Sequence, residues 1–132
     1  MIKNYSIGEV AKNANLTIST IRYYDKEKLI PNLKKNEAGN RIFTQENLDA
    51  IKMIKCLKRS GMPIKEIKIF MKWCENGDST LSNRLDMFKE LKTSVTKQMD
   101  ELKETLNTIE FKCNYYSQAV EDGTEKYVKE MH

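Results

Sequence analysis

Glycine and proline are scarce in this chain, five and two in 132 residues, and histidine occurs once, at His132. So little backbone punctuation leans the fold toward helix. No glycine-rich loop could cradle a phosphate, no nucleophile–base pair stands out, and the lone histidine offers no general base. An enzyme is therefore the poorest reading, and no cofactor or metal is expected. Cys56, Cys74 and Cys113 are odd in number and far apart, which argues against a disulfide framework and suits a reducing cytoplasm. Long apolar runs are missing too. Lys3, Glu9, Lys12, Arg22 and Asp25 break up the first thirty residues, so neither a signal peptide nor a membrane contact is expected.

Charge is plentiful but uneven. Residues 1–78 hold 15 Lys/Arg against 9 Asp/Glu, net +6, and residues 79–132 hold 8 against 10, net −2. A basic front suits a polyanion, although two solvated surfaces could differ this way by chance.

Helix punctuation opens the chain. Ser6-Ile-Gly-Glu9 matches a capping box, and Ile7, Val10, Ala11 and Ala14 follow at helical spacing. A turn around Asn15 leads to Thr17, a second N-cap, before a helix through Ile18–Lys28 whose buried side is Ile18, Ile21 and Leu29. Two short helices joined by a tight turn are the minimal helix-turn-helix. Pro31 stops the second helix. Residues 32–43 read as a hairpin with Leu33, Ile42 and Phe43 on its strands and Glu37-Ala-Gly-Asn40 at its tip. Thr44 caps a third helix with a Leu48/Ile51/Ile54/Leu57 stripe, ending near Gly61. Pro63 starts a fourth carrying Ile64, Ile67, Met71 and Cys74 on one face. Asn76-Gly77-Asp78-Ser79 is the one clear break.

Beyond that break the period changes. Leu81, Leu85, Phe88, Lys92, Val95, Met99, Leu102, Leu106, Ile109, Cys113, Tyr116 and Val120 alternate in steps of four and three, a heptad seam. A lone helix about 60 Å long, at 1.5 Å per residue, cannot bury such a stripe on itself. The simplest cover is a second copy of the chain. Gly123 ends the helix, and the last nine residues read as a tail. The expected divisions are 1–77, 78–122 and 123–132.

The chemistry concentrates in Thr17–Asp25. With Ile18 and Ile21 turned inward, Thr17, Ser19, Thr20, Arg22 and Tyr23 lie open near the helix N-terminus, where a recognition helix presents its readers. Hydroxyls suit phosphates and base edges, and arginine can grip guanine or a phosphate. An ordinary solvated face is the plainer alternative. Lys34 and Lys35 on one hairpin strand and Arg41 on the other suit a wing against a DNA backbone, although exposed hairpins also use charge to avoid pairing. Helix-turn-helix, basic hairpin and pairing helix together are more specific than any one alone. A coiled-coil adaptor, or an architectural DNA-binding protein without an inducer, is the competing reading.

Ser6-Ile-Gly-Glu-Val-Ala11, Thr20-Ile-Arg-Tyr-Tyr-Asp25, Leu29-Ile-Pro31, Asn40-Arg-Ile-Phe43 and Gly61-Met-Pro-Ile-Lys-Glu-Ile67 resemble the MerR family of transcription regulators in order and spacing. The resemblance implies a mainly α fold: a winged helix-turn-helix DNA-binding domain, then a long antiparallel coiled-coil dimerisation helix. It implies Thr17, Ser19, Thr20, Arg22 and Tyr23 in the major groove, with Tyr24 and Arg41 on the backbone. Its partners would be double-stranded DNA, a second copy of the chain and RNA polymerase at the promoter. Such regulators bind pseudo-palindromic operators and bend and untwist them so that the polymerase engages both promoter elements.

The family's metal sensors place cysteines at the start of the dimer helix and in a loop after it. Here Ser79 stands at the first place, and no cysteine follows Cys113. A drug-binding C-terminal domain is not expected either. Cys74 and Cys113 read as small core residues. Cys56 points away from its helix's apolar stripe, with Lys52 at i−4 and Arg59 at i+3. Cations within one helical turn favour a reactive thiolate. The Cys-Leu-Lys-Arg-Ser-Gly-Met segment resembles the family's thiol-based aldehyde and electrophile sensors, which makes Cys56 the candidate sensing residue.

Overall fold

A computed structural model describes residues 3–128. Its helices are α1 (Ile7–Ala14), α2 (Ile18–Lys26), α3 (Gln45–Arg59), α4 (Ile64–Asn76) and α5 (Leu81–Asp122). A hairpin of β1 (Lys34–Lys35) and β2 (Arg41–Ile42) lies between α2 and α3. Among the described residues no helix is long and apolar enough to cross a membrane. His132, and the tail beyond Val128, lie outside the described residues.

The N-terminal compact unit extends past the Gly77 break to Met87, and a second unit begins at Phe88. Caps set its helix starts. Ser6 and Glu9 form the expected capping box, and Thr17 Oγ1 accepts from the Thr20 amide at 3.1 Å. Asn15, at φ 54°, gives the left-handed turn that ends α1 and directs the chain into α2. Lys55 supports this turn from α3 by donating to the Ala14 carbonyl at 2.9 Å. The core is the stripe the heptad-like spacing indicated: Leu48, Ile51, Ile54 and Leu57 are all within 1% of full burial, closed by Val10, Ile21, Phe43 and Ile67.

Two sequence expectations shift here. Ile18 is 39% exposed rather than inward, because the first residue of α2 precedes any helical turn that could cover it. Cys74 is exposed, not core. On α4 the buried residues are Ile67 and Phe70, one turn apart, so the covered stripe ends before it reaches Cys74.

Phe43 has a second task. It pairs with Tyr5 in an antiparallel bridge, Tyr5 N–H to Phe43 O at 2.7 Å and the return bond at 2.9 Å. The N-terminal segment thereby extends the hairpin, a pairing the sequence pattern did not suggest.

Asn47 locks α3 in place. Its Oδ1 accepts from the Thr44 amide at 2.9 Å, closing a second capping box, while its Nδ2 donates to Pro31 O at 2.7 Å. At 1% exposure it is the most buried polar side chain described.

The α4–α5 junction is a single 3₁₀ turn, Gly77–Thr80. Thr80 Oγ1 donates to Trp73 O at 2.6 Å, and Arg84 reaches back to Thr80 Oγ1 at 3.1 Å and Gly77 O at 2.8 Å. The break read at Asn76–Ser79 is therefore a braced corner and not a linker.

In the second unit, α5 carries its seam into solvent. Met99, Leu102, Leu106, Ile109 and Tyr116 are each more than half exposed. Cys113, which lies on the same seam, is likewise exposed in the single chain. The tail differs from expectation. Gly123 (φ 73°) turns the chain, a 3₁₀ turn follows at Glu125–Tyr127, and Val128 packs on Tyr115 and Ala119. Tyr115 donates to Glu125 at 3.2 Å.

Replacing Asn47 with Ala removes both a cap and the donor to Pro31. Urea unfolding should show a loss of about 2 kcal/mol. A loss under about 0.5 kcal/mol, the range of an inert surface change, would show that neither bond holds α3.

Candidate nucleic-acid interface

The α2 N-terminus presents an open polar face. Ser19, Arg22 and Tyr23 are exposed, as is Thr17, and Thr20 is half-buried. Thr17 and Thr20 share a hydroxyl–hydroxyl bond of 2.8 Å in addition to the cap. Both hydroxyls are thus fixed in place while retaining lone pairs for a further donor. Ile18 joins this open side and adds an apolar surface that could meet a thymine methyl.

Tyr24 does not join it. At 4% exposure it belongs to the core, since three residues after Ile21 it falls on the same buried stripe. Burial pushes its phenol above the ordinary value, and the neighbouring Tyr23 adds to the rise. The backbone contact implied for Tyr24 by the family resemblance would have to be made from a largely buried ring, tilted against Tyr23 at a centroid distance of 6.3 Å.

The wing is a ribbon in the register Lys34↔Ile42 and Lys35↔Arg41. Its tip closes through Asn36, whose side chain accepts from the Asn40 amide at 3.0 Å, and Gly39 supplies the φ of 84°. Successive strand residues point to opposite faces. Lys35 therefore shares a face with Arg41, and Lys34 falls on the other.

Lys35 directly opposite Arg41 is a like-charge cross-strand pair, which costs stability in isolation. Asp25, at the end of α2, offsets it: Arg41 Nε donates to Asp25 Oδ2 at 2.9 Å. The same bond ties the wing to the helix beside it. Arg22, Asp25, Lys35, Gly39, Asn40 and Arg41 consequently line one open cleft between α2 and the wing. Three cations against one carboxylate leave it net positive. Arg41, expected as a free cation, spends Nε internally and keeps its two terminal nitrogens.

A second link was not legible beforehand. Lys68 of α4 pairs with Glu27 at 2.8 Å, just past the end of α2. The hydrogen bond from Lys68 and its charge hold the Glu27 carboxyl below the ordinary range. Partners 41 residues apart leave no local pattern to read.

Cys56 is exposed on α3. It lines a shallow depression with Lys52, Lys55, Arg59 and Ser60, and Ser60 Oγ donates to the Cys56 carbonyl at 2.8 Å.

Residues 5–73 match the MerR HTH family regulatory protein model. The chain is 37% identical over 124 residues to an uncharacterized HTH-type transcriptional regulator of Haemophilus influenzae, spanning 94% of this chain and 92% of that one. It also resembles the crystal structure of HiNmlR, a MerR family regulator lacking the sensor domain, bound to promoter DNA. That likeness has a TM-score of 0.91 at 36% identity and covers 96% of each chain. A MerR family regulator from Bacillus thuringiensis matches at TM-score 0.79 and 46% identity, over 85% of this chain and 98% of that one. With its helix-turn-helix, two-stranded wing and long terminal helix, the chain belongs to the MerR family of HTH transcriptional regulators.

Proposed function

We propose that the protein is a homodimeric, sequence-specific DNA-binding regulator that distorts a pseudo-palindromic promoter operator for RNA polymerase. The observation that carries this is the cleft in which Arg22 of α2 stands beside Lys35 and Arg41 of the wing. One helix face to read base edges and one cationic ribbon to hold phosphates are the two halves of operator recognition. HiNmlR, similar over 96% of its length, is bound to promoter DNA, which supports the same use of this surface.

In this reading Ser19, Thr17, Thr20, Arg22 and Tyr23 face the major groove. Lys34, Lys35 and the terminal nitrogens of Arg41 hold the backbone. The exposed seam of α5 is covered by a second copy, which sets two reading helices on two half-sites. A coiled-coil adaptor would use the seam but would leave the charged cleft without a purpose.

The inducer reading falls on Cys56. The thiol is open to solvent, and three cations line its depression, a setting that suits attack on an aldehyde or other electrophile. Modification there would alter charge and bulk on α3, the helix that supports the turn before α2 through Lys55.

Gel-shift titration on the chain's own promoter, at several salt concentrations, tests the DNA reading. Arg22→Ala should cost roughly 1–3 kcal/mol and relax preference at one position of each half-site. Lys35→Ala should weaken all sequences alike and lower the salt slope by about one. Equal, sequence-blind losses would demote Arg22 to a phosphate contact, and an absence of sequence preference in the parent would favour an architectural role.

Asp25→Ala should free Arg41 and restore the Lys35–Arg41 repulsion. Amide exchange at Arg41 and Ile42 should quicken, with global stability falling by no more than about 1 kcal/mol, because the pair is partly exposed. Unchanged exchange would show that Phe43 alone positions the wing.

Limited iodoacetamide labelling read by mass spectrometry tests Cys56. It should react ahead of Cys74, which is exposed but lies outside that cationic depression. Equal rates, or induction by aldehydes that survives Cys56→Ser, would remove the sensor reading.

A further inference from the structure

The end of α4 is satisfied from outside α4. Trp73 lies in its last turn, whose carbonyls have no partner further along the helix. Thr80 Oγ1 donates to Trp73 O at 2.6 Å and also lies 2.9 Å from Gly77 O. Arg84 completes the set, with Nε donating to Thr80 Oγ1 at 3.1 Å and Nη2 to Gly77 O at 2.8 Å. Thr80 is 8% exposed, so breaking these bonds would strand a buried hydroxyl.

Arg84 does not suit the start of its own helix. It stands in the first turn of α5, where the helix dipole favours an anion and disfavours a cation. Among the described residues it forms no ion pair. Its charge lies instead against the carbonyl end of α4, where a cation is favoured. The residue thus serves to join two helices and not to start one.

The join reaches the reading helix. Ile67 and Phe70 fix α4 in the core, and Lys68 pairs with Glu27, just past the end of α2, at 2.8 Å. These residues, with Thr80 and Arg84, all belong to the N-terminal unit, Met1–Met87. The first turn of α5 is therefore held in the same frame as Ser19, Arg22 and Tyr23. Looseness at this corner would be magnified, because α5 runs on unbroken for 42 residues. A tilt of about 5° at one end of a helix about 60 Å long displaces its other end by about 5 Å. One base pair rises by only about 3.4 Å.

We infer that Arg84 and Thr80 set the half-site spacing that this regulator accepts, by fixing the direction in which α5 leaves α4. The inference rests on the homodimeric operator reading above and adds the residues that make it selective for spacing. It holds whatever the details of pairing, because each copy carries its own corner. Arg22 and its neighbours choose the bases of one half-site. Arg84 chooses the distance to the next without touching DNA. Without these bonds the corner would be free to bend at Gly77, the residue in it with the widest backbone choice.

Operators whose half-sites are moved apart or together by one base pair test this in gel-shift titrations. Each such change turns one half-site by about 35° and shifts it by about 3.4 Å. The full chain should bind its own promoter's spacing roughly tenfold or more tightly than either altered one. Arg84→Met, which keeps the stem and removes the donors, should cut that ratio to about threefold or less, and so should Thr80→Val. Thr80→Ser, which keeps the hydroxyl, should retain the parent's ratio. Base preference within each half-site should stay as in the parent for all three. The ratio compares operators within one variant, so a smaller folded fraction cancels from it.

A parent-like ratio in Arg84→Met or in Thr80→Val overturns the inference. So do a lowered ratio in Thr80→Ser and a parent indifferent to spacing. Loss of base preference, or of all binding, in Arg84→Met overturns it as well, since the residue then supports the whole unit and not the spacing. In each of those cases a dimeric parent with sequence preference leaves the operator reading standing. A parent that is monomeric on its operator, or has no sequence preference, removes both.

Discussion

A hairpin of two-residue strands cannot hold its own shape in water, and the candidate interface depends on how this one is held. Its exposed strand residues are lysines, and Lys35 stands directly opposite Arg41. Left alone, the ribbon would splay. Two attachments prevent it: Phe43, fully buried and bridged to Tyr5, and the Arg41–Asp25 pair at 2.9 Å. The first fixes the base of the wing in the core. The second ties its charged edge to α2, the helix that carries Arg22. Recognition helix and wing therefore form one surface because a single carboxylate, Asp25, serves both.

That economy extends to the helix ends. α2 has nine residues and would be marginal alone. Its start is capped by Thr17, the turn before it is gripped by Lys55 of α3, and the residue just past its end is paired with Lys68 of α4. Each contact contributes little singly, because water and salt screen exposed groups. Together they act on the helix whose outward residues are Ser19, Arg22 and Tyr23, the ones the DNA-binding reading sets in a groove. A change on α3 or α4 can thus reach the reading face without touching it.

Sequence periodicity revealed the helices, their caps, the core stripe of α3 and the exposed seam, because each is a local pattern of period 3.6 or 3.5. Turn residues also set Lys35 and Arg41 on the two strands of one hairpin, whereas the approach of Arg22 to them came only with the structure. What it missed were contacts between residues distant along the chain. Tyr5 with Phe43, Asn47 with Pro31 and Lys68 with Glu27 leave no local trace. The burial of Tyr24 and the exposure of Cys74 show how far a periodic face can be followed. The stripe that buries Tyr24 follows from Ile21 alone, while Cys74 continues a periodic face past the point where anything packs on it. The docked turn at Glu125–Val128 reads as a tail in the sequence because Thr124, Glu125 and Lys126 are polar and Val128 is its one buried apolar residue.

The two open surfaces differ in kind, and the difference orders the events of binding. The cleft of Arg22, Lys35 and Arg41 is charged and stable in water, so it can wait for a polyanion. The seam is not. Met99, Leu102, Leu106, Ile109 and Val120 are between half and four-fifths exposed, and burying each such side chain contributes about 1.5–3 kcal/mol before ordering costs. On the homodimer reading a second copy covers this stripe twice over, once from each helix. In that reading pairing precedes DNA binding, and the operator meets two reading helices already spaced by α5. Linkage then runs both ways: any group that shifts the seam's register changes operator affinity, and operator DNA in turn favours the paired state.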